Sequence, residues 1–201
     1  MNWDGSVNLP SCGDACYPDL LGVVEANVGV NKANYFVKRD SSLEINLNQN
    51  EIDRKYTLNI ENSSNPSLGL AGKYKNYIRF LISGETSGFS IQSMSGQSIE
   101  NLTADVIDTK GRKEVGTLIE VLPGQSKKII FSWKTQISMS QISSYGLYIM
   151  KQAGIDGYPI SLSLSIPGEA KATDSRFTLT KTGNYVYNTT LDKDLFARFS
   201  F

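Results

Sequence analysis

Val115-Gly116-Thr117-Leu118-Ile119-Glu120-Val121 alternates small or apolar residues with polar ones, and Leu122-Pro123-Gly124-Gln125 follows. Beyond it, Lys127-Lys128-Ile129-Ile130-Phe131-Ser132-Trp133-Lys134 alternates again, with Ile129, Phe131 and Trp133 on one face. Proline presets φ at the second turn position and glycine accepts positive φ at the third, so the tetrapeptide reads as a type II turn. Period-two patterning on both flanks reads as half-buried strand. The expectation is an antiparallel hairpin, 115–121 against 127–134.

The same theme extends in both directions. Asp108-Thr109-Lys110-Gly111 is a type I turn closed by a glycine bulge, joining strand 102–107 to the strand entering the hairpin. Upstream, Leu43, Ile45 and Leu47 share one face, Asn48-Gln49-Asn50 turns, and Tyr56, Leu58 and Ile60 share the next. Residues 73–83 are apolar on parts of both faces, the mark of a central strand. Downstream, strands are expected at 144–151, 158–166, 177–180, 184–188 and 195–201. About eleven strands spaced by roughly 8–15 residues form a sandwich or barrel pattern. The expected fold is an all-β, antiparallel β-sandwich of Greek-key, immunoglobulin-like type, spanning residues 41–201. Residues 1–40 are expected as a lead-in segment: 20–30, 31–34 and 35–39 read as strand, turn, strand, with 20–26 as a short helix capped by Asp19 the alternative.

At 201 residues one domain suffices to bury a core. Twenty basic residues balance twenty acidic ones, so no global field recruits nucleic acid or an anionic membrane. Residues 1–5 carry neither a basic n-region nor an apolar h-region, and no apolar run reaches the length of a membrane span. Any membrane attachment is expected through an upstream anchor missing from this chain.

No histidine is present, which removes the imidazole base of a serine or cysteine triad. Gly69-Leu70-Ala71-Gly72-Lys73 differs from a phosphate loop in its first glycine and in Tyr74 at the Ser/Thr position. Asp105, Asp108, Glu114 and Glu120 lie together on one predicted hairpin, where turn and solvent-face roles account for them better than glycoside cleavage does. The chain is read as a non-enzyme with no cofactor. Cys12 and Cys16 are the only cysteines and are candidates for a small disulfide loop, worth about 2 kcal/mol in the chain-entropy picture. Zinc would need carboxylates such as Asp14 and Asp19 beside them, and no metal site is expected.

Two groups of candidate binding residues stand out. Asn27, Asn31, Lys32 and Arg39 fall on a segment with more polar groups than a strand pair requires. Tyr185 and Tyr187 belong to a tyrosine-rich last third whose rings offer stacking faces for sugars.

Several stretches together resemble the C-terminal β-rich region of an uncharacterised bacterial family of large, membrane-anchored surface proteins. They are Leu21-Gly22-Val23-Val24-Glu25-Ala26-Asn27-Val28-Gly29-Val30-Asn31-Lys32, Tyr35-Phe36-Val37-Lys38-Arg39, Gly72-Lys73-Tyr74-Lys75-Asn76-Tyr77-Ile78-Arg79, Leu122-Pro123-Gly124-Gln125-Ser126 and Lys151-Gln152-Ala153-Gly154. The resemblance implies an exported protein with an upstream membrane helix and supplies no catalytic residues. The expected function is therefore a non-catalytic extracellular module of the bacterial cell envelope, serving as spacer, adhesion or assembly domain through edge strands, aromatic patches and polar loops. Other envelope proteins or cell-wall glycans are the expected partners, and a carbohydrate-binding module is the alternative.

Overall fold

The computed structural model describes residues 11–29, 31–65, 72–109, 111–168 and 170–201. Residues 1–5 and the Gly69-Leu70-Ala71 part of the stretch weighed as a phosphate loop lie outside them.

The chain forms two stacked sheets. The seven-stranded sheet runs β12-β15-β10-β1-β4-β8-β7 and the eight-stranded sheet β13-β14-β11-β2-β3-β9-β5-β6. In chain order these are β1 (Cys16–Asn27), β2 (Val37–Leu47), β3 (Glu51–Asn62), β4 (Tyr74–Ser83), β5 (Gly88–Ser95), β6 (Ser98–Asn101), β7 (Asp105–Thr109) and β8 (Arg112–Val121). There follow β9 (Gln125–Gln136), β10 (Ser144–Met150), β11 (Tyr158–Ser165), β12 (Lys171–Ala172), β13 (Thr178–Leu179), β14 (Asn184–Leu191) and β15 (Leu195–Ser200). No described helix is long and apolar enough to cross a membrane.

Inward faces follow the period-two pattern. Ile52, Tyr56, Leu58 and Ile60 alternate inward on β3, and Ile129, Phe131 and Trp133 do so on β9. Across the interface Phe80 of β4 stacks on Phe131 of β9 with centroids 4.3 Å apart, and Phe131 stacks in turn on Trp133 at 4.9 Å. Such aromatic pairs add about 0.5–1.5 kcal/mol each beyond area burial.

The all-β, two-layer expectation agrees with this architecture, but the wholly antiparallel, immunoglobulin-like arrangement does not. β1 runs parallel to β10 from Cys16 opposite Ser144, and β2 runs parallel to β11 from Ser41 opposite Ile160. Both sheets are mixed. Parallel neighbours require a long crossover, and these partners are separated by most of the chain. The segment expected as a lead-in supplies β1, a single twelve-residue strand between β10 and β4. Leu20, Leu21 and Val23 are all buried on it, as a strand covered on both faces demands.

The expected hairpin of 115–121 with 127–134 is also corrected. The turn itself forms: the Gln125 N–H donates to the Leu122 carbonyl at 3.1 Å and Gly124 has φ +72°. Yet β8 pairs with β4 and β7, whereas β9 pairs with β3 and β5 in the other sheet. The connection is an arch across the sandwich. Type II geometry splays two strands away from the twist that edge-to-edge pairing in a two-residue hairpin needs, which suits strands that face each other instead. Asn62 holds the arch, its buried amide donating to the Val121 carbonyl at 3.0 Å and to the Gly72 carbonyl at 2.9 Å. Its own carbonyl accepts the Gly124 N–H at 2.7 Å.

A side chain at Gly124 would meet no neighbouring atom, so replacing it tests backbone strain alone. Gly124→Ala is expected to lower stability by about 1–2 kcal/mol, read as a drop in the urea midpoint at unchanged slope.

Candidate functional site

Two buried ion pairs tie the sheets together. β1 places Asp19, Leu21, Val23 and Glu25 on its inward face, so its two acids lie about 20 Å apart along one strand. Asp19 accepts from Arg54 Nε of β3 at 2.6 Å and from the Tyr145 hydroxyl of β10. The remaining donors of Arg54 reach the Ile52 carbonyl at 3.1 Å and Thr135 Oγ1 at 3.0 Å. At the other end Glu25 accepts from Arg39 Nε of β2 at 2.7 Å, the Tyr74 hydroxyl at 3.0 Å and Asn76 Nδ2 at 2.9 Å. Burial, followed by the adjacent Asp19 charge, pushes the Tyr145 hydroxyl well above its ordinary pKa. Burial and the Glu25 charge raise that of Tyr74.

With β1, β3 and the core pinned, the outer face of the eight-stranded sheet becomes a fixed lattice. One cross-strand row reads Asn184, Ser165, Asn46, Asp53, Lys134 and Gly88 over β14, β11, β2, β3, β9 and β5. The next row reads Val186, Ser163, Glu44, Lys55, Ser132 and Ser90. These rows floor a groove of about 640 Å³ with Phe89 beside them. Six strands at their normal spacing make it about 24 Å wide.

Within the groove two lysines face two carboxylates: Lys55 pairs with Glu44 at 3.1 Å and Lys134 with Asp53 at 2.7 Å, and Lys134 also reaches Glu51, outside the groove lining, at 3.2 Å. Hydrogen bonds to Asp53 and Glu51 push the Lys134 pKa up. What the groove offers is short hydroxyl and amide side chains and ion pairs beside Phe89, with more apolar than polar surface, which suits an extended, uncharged ligand that has both polar and apolar faces.

The residues expected from sequence to bind lie elsewhere. Asn27 and Asn31 do come together, but they satisfy each other and the surrounding backbone: Asn27 Nδ2 donates to the Asn31 carbonyl at 3.1 Å and Asn31 Nδ2 to the Lys73 carbonyl at 2.9 Å. Lys32 is exposed at the start of a short 3₁₀ turn, Ala33–Phe36. Arg39 is committed to Glu25. Tyr185 and Tyr187, expected as stacking faces, point toward the sandwich, because on β14 the outward phase belongs to Asn184, Val186 and Asn188. The Tyr185 hydroxyl donates to the Ala170 carbonyl, and Tyr187 lies against Phe177 at 5.2 Å under the Arg176 guanidinium. Cys12 and Cys16 form a disulfide with Cα atoms 5.7 Å apart, packed on Gly146 of β10.

The carboxylates of β7 and β8 are each engaged. Asp105 accepts from the Tyr77 hydroxyl, Asp108 pairs with Lys113, Glu114 with Arg112 and Glu120 with Lys73. Among the described residues no three His, Cys, Asp or Glu side chains are grouped as a metal site.

Sequence reading missed the pairings of Asp19 with Arg54 and Glu25 with Arg39, and weighed Asp19 only as a helix cap or zinc ligand. The signal was present: Asp19, Glu25 and Arg54 all occupy the inward phase of strands whose other inward residues are mostly apolar. The groove residues had no such signal, since six separate segments supply them.

No family model matches the chain and no curated protein matches it. Among solved structures, a candidate nutrient-binding protein of Legionella pneumophila is similar over 94% of this chain and 73% of its own, with a TM-score of 0.64 and 7% identity. At that identity the likeness shows a shared fold. Yeast LTA4 hydrolase aligns over 83% of this chain and 29% of its own at 9% identity, with a TM-score of 0.43. An M1 zinc metallopeptidase of Deinococcus radiodurans aligns over 82% and 42% at 10% identity, with a TM-score of 0.36.

The frame itself can be tested. Arg54→Met leaves Asp19 buried beside no cation and is expected to cost about 3–5 kcal/mol, whereas adding Asp19→Leu should restore most of the loss. Urea midpoints of the single and double variants measure the difference.

Proposed function

We propose that this chain is a non-catalytic binding module of an exported bacterial envelope protein, holding an extended, uncharged glycan across the outer face of its eight-stranded sheet. The observation that carries the reading is the groove of about 640 Å³ floored by two registered rows of small polar side chains and paired charges. Sugar hydroxyls need donors and acceptors in close alternation, which Ser, Asn and matched Lys–Asp and Lys–Glu pairs supply. A ligand carrying net charge gains little from a floor whose charges already cancel.

The non-catalytic part is supported by the chemistry of the side chains. The chain has no imidazole, and the two carboxylates that β1 holds in the interior, Asp19 and Glu25, are neutralised by arginines and shielded from substrate. The Legionella neighbour is described as nutrient-binding, which agrees with a ligand-holding role for this fold, although the reading rests on the groove. The Cys12–Cys16 disulfide supports export, since disulfides persist in oxidising compartments.

The protein should be retained on at least one of cellulose, chitin and peptidoglycan sacculi in a sedimentation assay. Ser132→Trp fills the middle of the groove from an outward position and should weaken that retention about tenfold or more while leaving the thermal midpoint unchanged. Wild-type protein sedimenting with none of the three would overturn the glycan reading. Separately, alkylation of non-reduced protein from its source cells should leave Cys12 and Cys16 unmodified, and labelling at both would place the chain in a reducing compartment.

A further inference from the structure

A second cavity, of about 580 Å³, opens at the far end of β2 and β11, beside Tyr35, Lys38, Asp156 and Tyr158. On β2 it is bordered by Lys38 and Arg39, whereas the groove takes Glu44 and Asn46 of the same strand. Tyr35 is 79% exposed, the most exposed large apolar side chain described. A lone exposed ring is ordinary when its segment is loose, but here the segment is clamped.

Tyr35 sits on the 3₁₀ turn Ala33–Phe36. Ala33 is fully buried and its N–H donates to Asn31 Oδ1 at 3.0 Å. Phe36 is held through its carbonyl, which accepts from the Ser63 N–H at 2.9 Å and from the Ser63 hydroxyl at 2.7 Å. The ring is thus presented to solvent by anchored neighbours on both sides.

The opposite wall is equally fixed. Gln152 pairs with the Glu25 backbone in both directions, accepting its N–H at 2.7 Å and donating to its carbonyl at 2.9 Å. The Lys151 ammonium closes the loop by donating to the Gln152 carbonyl at 2.7 Å and to that of Ile155. This wall carries Asp156, whose carboxylate has no hydrogen-bond or ion-pair partner among the described residues, and the same holds for the Lys38 ammonium on β2. Arg39, also at the cleft, is already neutralised by Glu25.

We propose that this cleft is a binding site for a single neutral pyranose, with Tyr35 as the stacking platform. The C–H face of a sugar ring lies against an aromatic face, while its edge hydroxyls donate to a carboxylate and accept from an ammonium. Tyr35, Asp156 and Lys38 supply these three elements around one cavity, and their charges cancel. A quaternary ammonium ligand would need several exposed aromatic faces. Here Tyr158 is largely buried and its hydroxyl is shared with that of Tyr56 at 3.4 Å, leaving one open ring. The site sits in the segment expected from sequence to bind, yet it uses Tyr35 and Lys38, while Asn31 serves only to brace the turn.

The test is amide chemical-shift mapping of the full chain, titrated separately with the methyl glycosides of glucose, galactose, mannose and N-acetylglucosamine at millimolar concentrations. At least one is expected to shift Tyr35, Gly154 and Gly157 saturably. Tyr35→Ala should abolish those shifts and Tyr35→Phe should keep them, both with unaltered folding because the ring is exposed. Ser132→Trp in the groove should leave them unchanged, so loss of polysaccharide retention and loss of this site are read independently. Absence of saturable shifts for all four glycosides would overturn the proposal, as would shifts produced by tetramethylammonium and by none of the sugars.

Discussion

The two acids that β1 sends through the interior set the geometry of everything outside it. Removing a carboxylate and a guanidinium from water costs several kcal/mol per ion, and their attraction repays this only when every remaining donor and acceptor is used. Asp19 with Arg54, and Glu25 with Arg39, approach that condition through Tyr145, Thr135, Tyr74 and Asn76, with the buried Asn76 Oδ1 left without a hydrogen bond. Apolar side chains tolerate sliding of one sheet over the other by a fraction of a residue, whereas an ion pair at 2.6 or 2.7 Å does not. Two such pairs on one strand also resist rotation. Their contribution is therefore to fix alignment, and the outer-face rows inherit that alignment through the strand register.

Period-two patterning made much of this molecule legible before any coordinates. It located most of the longer strands and their inward phases, because a residue's phase depends only on its immediate neighbours. It was silent on which sheet a strand joins. The residues of β8 and β9 look the same whether those strands pair edge to edge or face each other across a core. The deciding information lay in the turn: Pro123-Gly124 specifies type II, and type II opens the strands apart. β1 was read as a strand but assigned to a lead-in outside the sandwich, because nothing local to it shows that β10 and β4 flank it. Gly22 marks that position: a Cβ there would come within 2.9 Å of Met150 and 3.2 Å of Leu81 on the flanking strands.

The candidate groove was illegible for a deeper reason. Asn46, Asp53, Lys134, Ser165 and Asn184 become neighbours only through a strand order that includes one parallel pairing. Each of them reads individually as an ordinary outward residue. Tyr185 and Tyr187 show the reverse error, because tyrosines attract attention by chemistry while the strand's phase decides what they touch. With Leu191 buried on the same phase, both rings had to turn inward.

The strand ends narrow how such a molecule makes contact. The sheets terminate in β12 and β13 of two residues each, β6 of four and β7 of five. A partner adding a strand to any of them gains few backbone hydrogen bonds, which is how β-proteins avoid edge-to-edge association. Strand addition to these terminal strands is thus disfavoured, and the broad faces and strand-end clefts offer the larger surfaces for contact. Recognition on a face requires that its residues hold their spacing without a bound ligand, since nothing in an open groove closes around a guest. The demand for a preformed outer face and the presence of two inter-sheet ion pairs are, in this fold, the same requirement seen from opposite sides of one sheet.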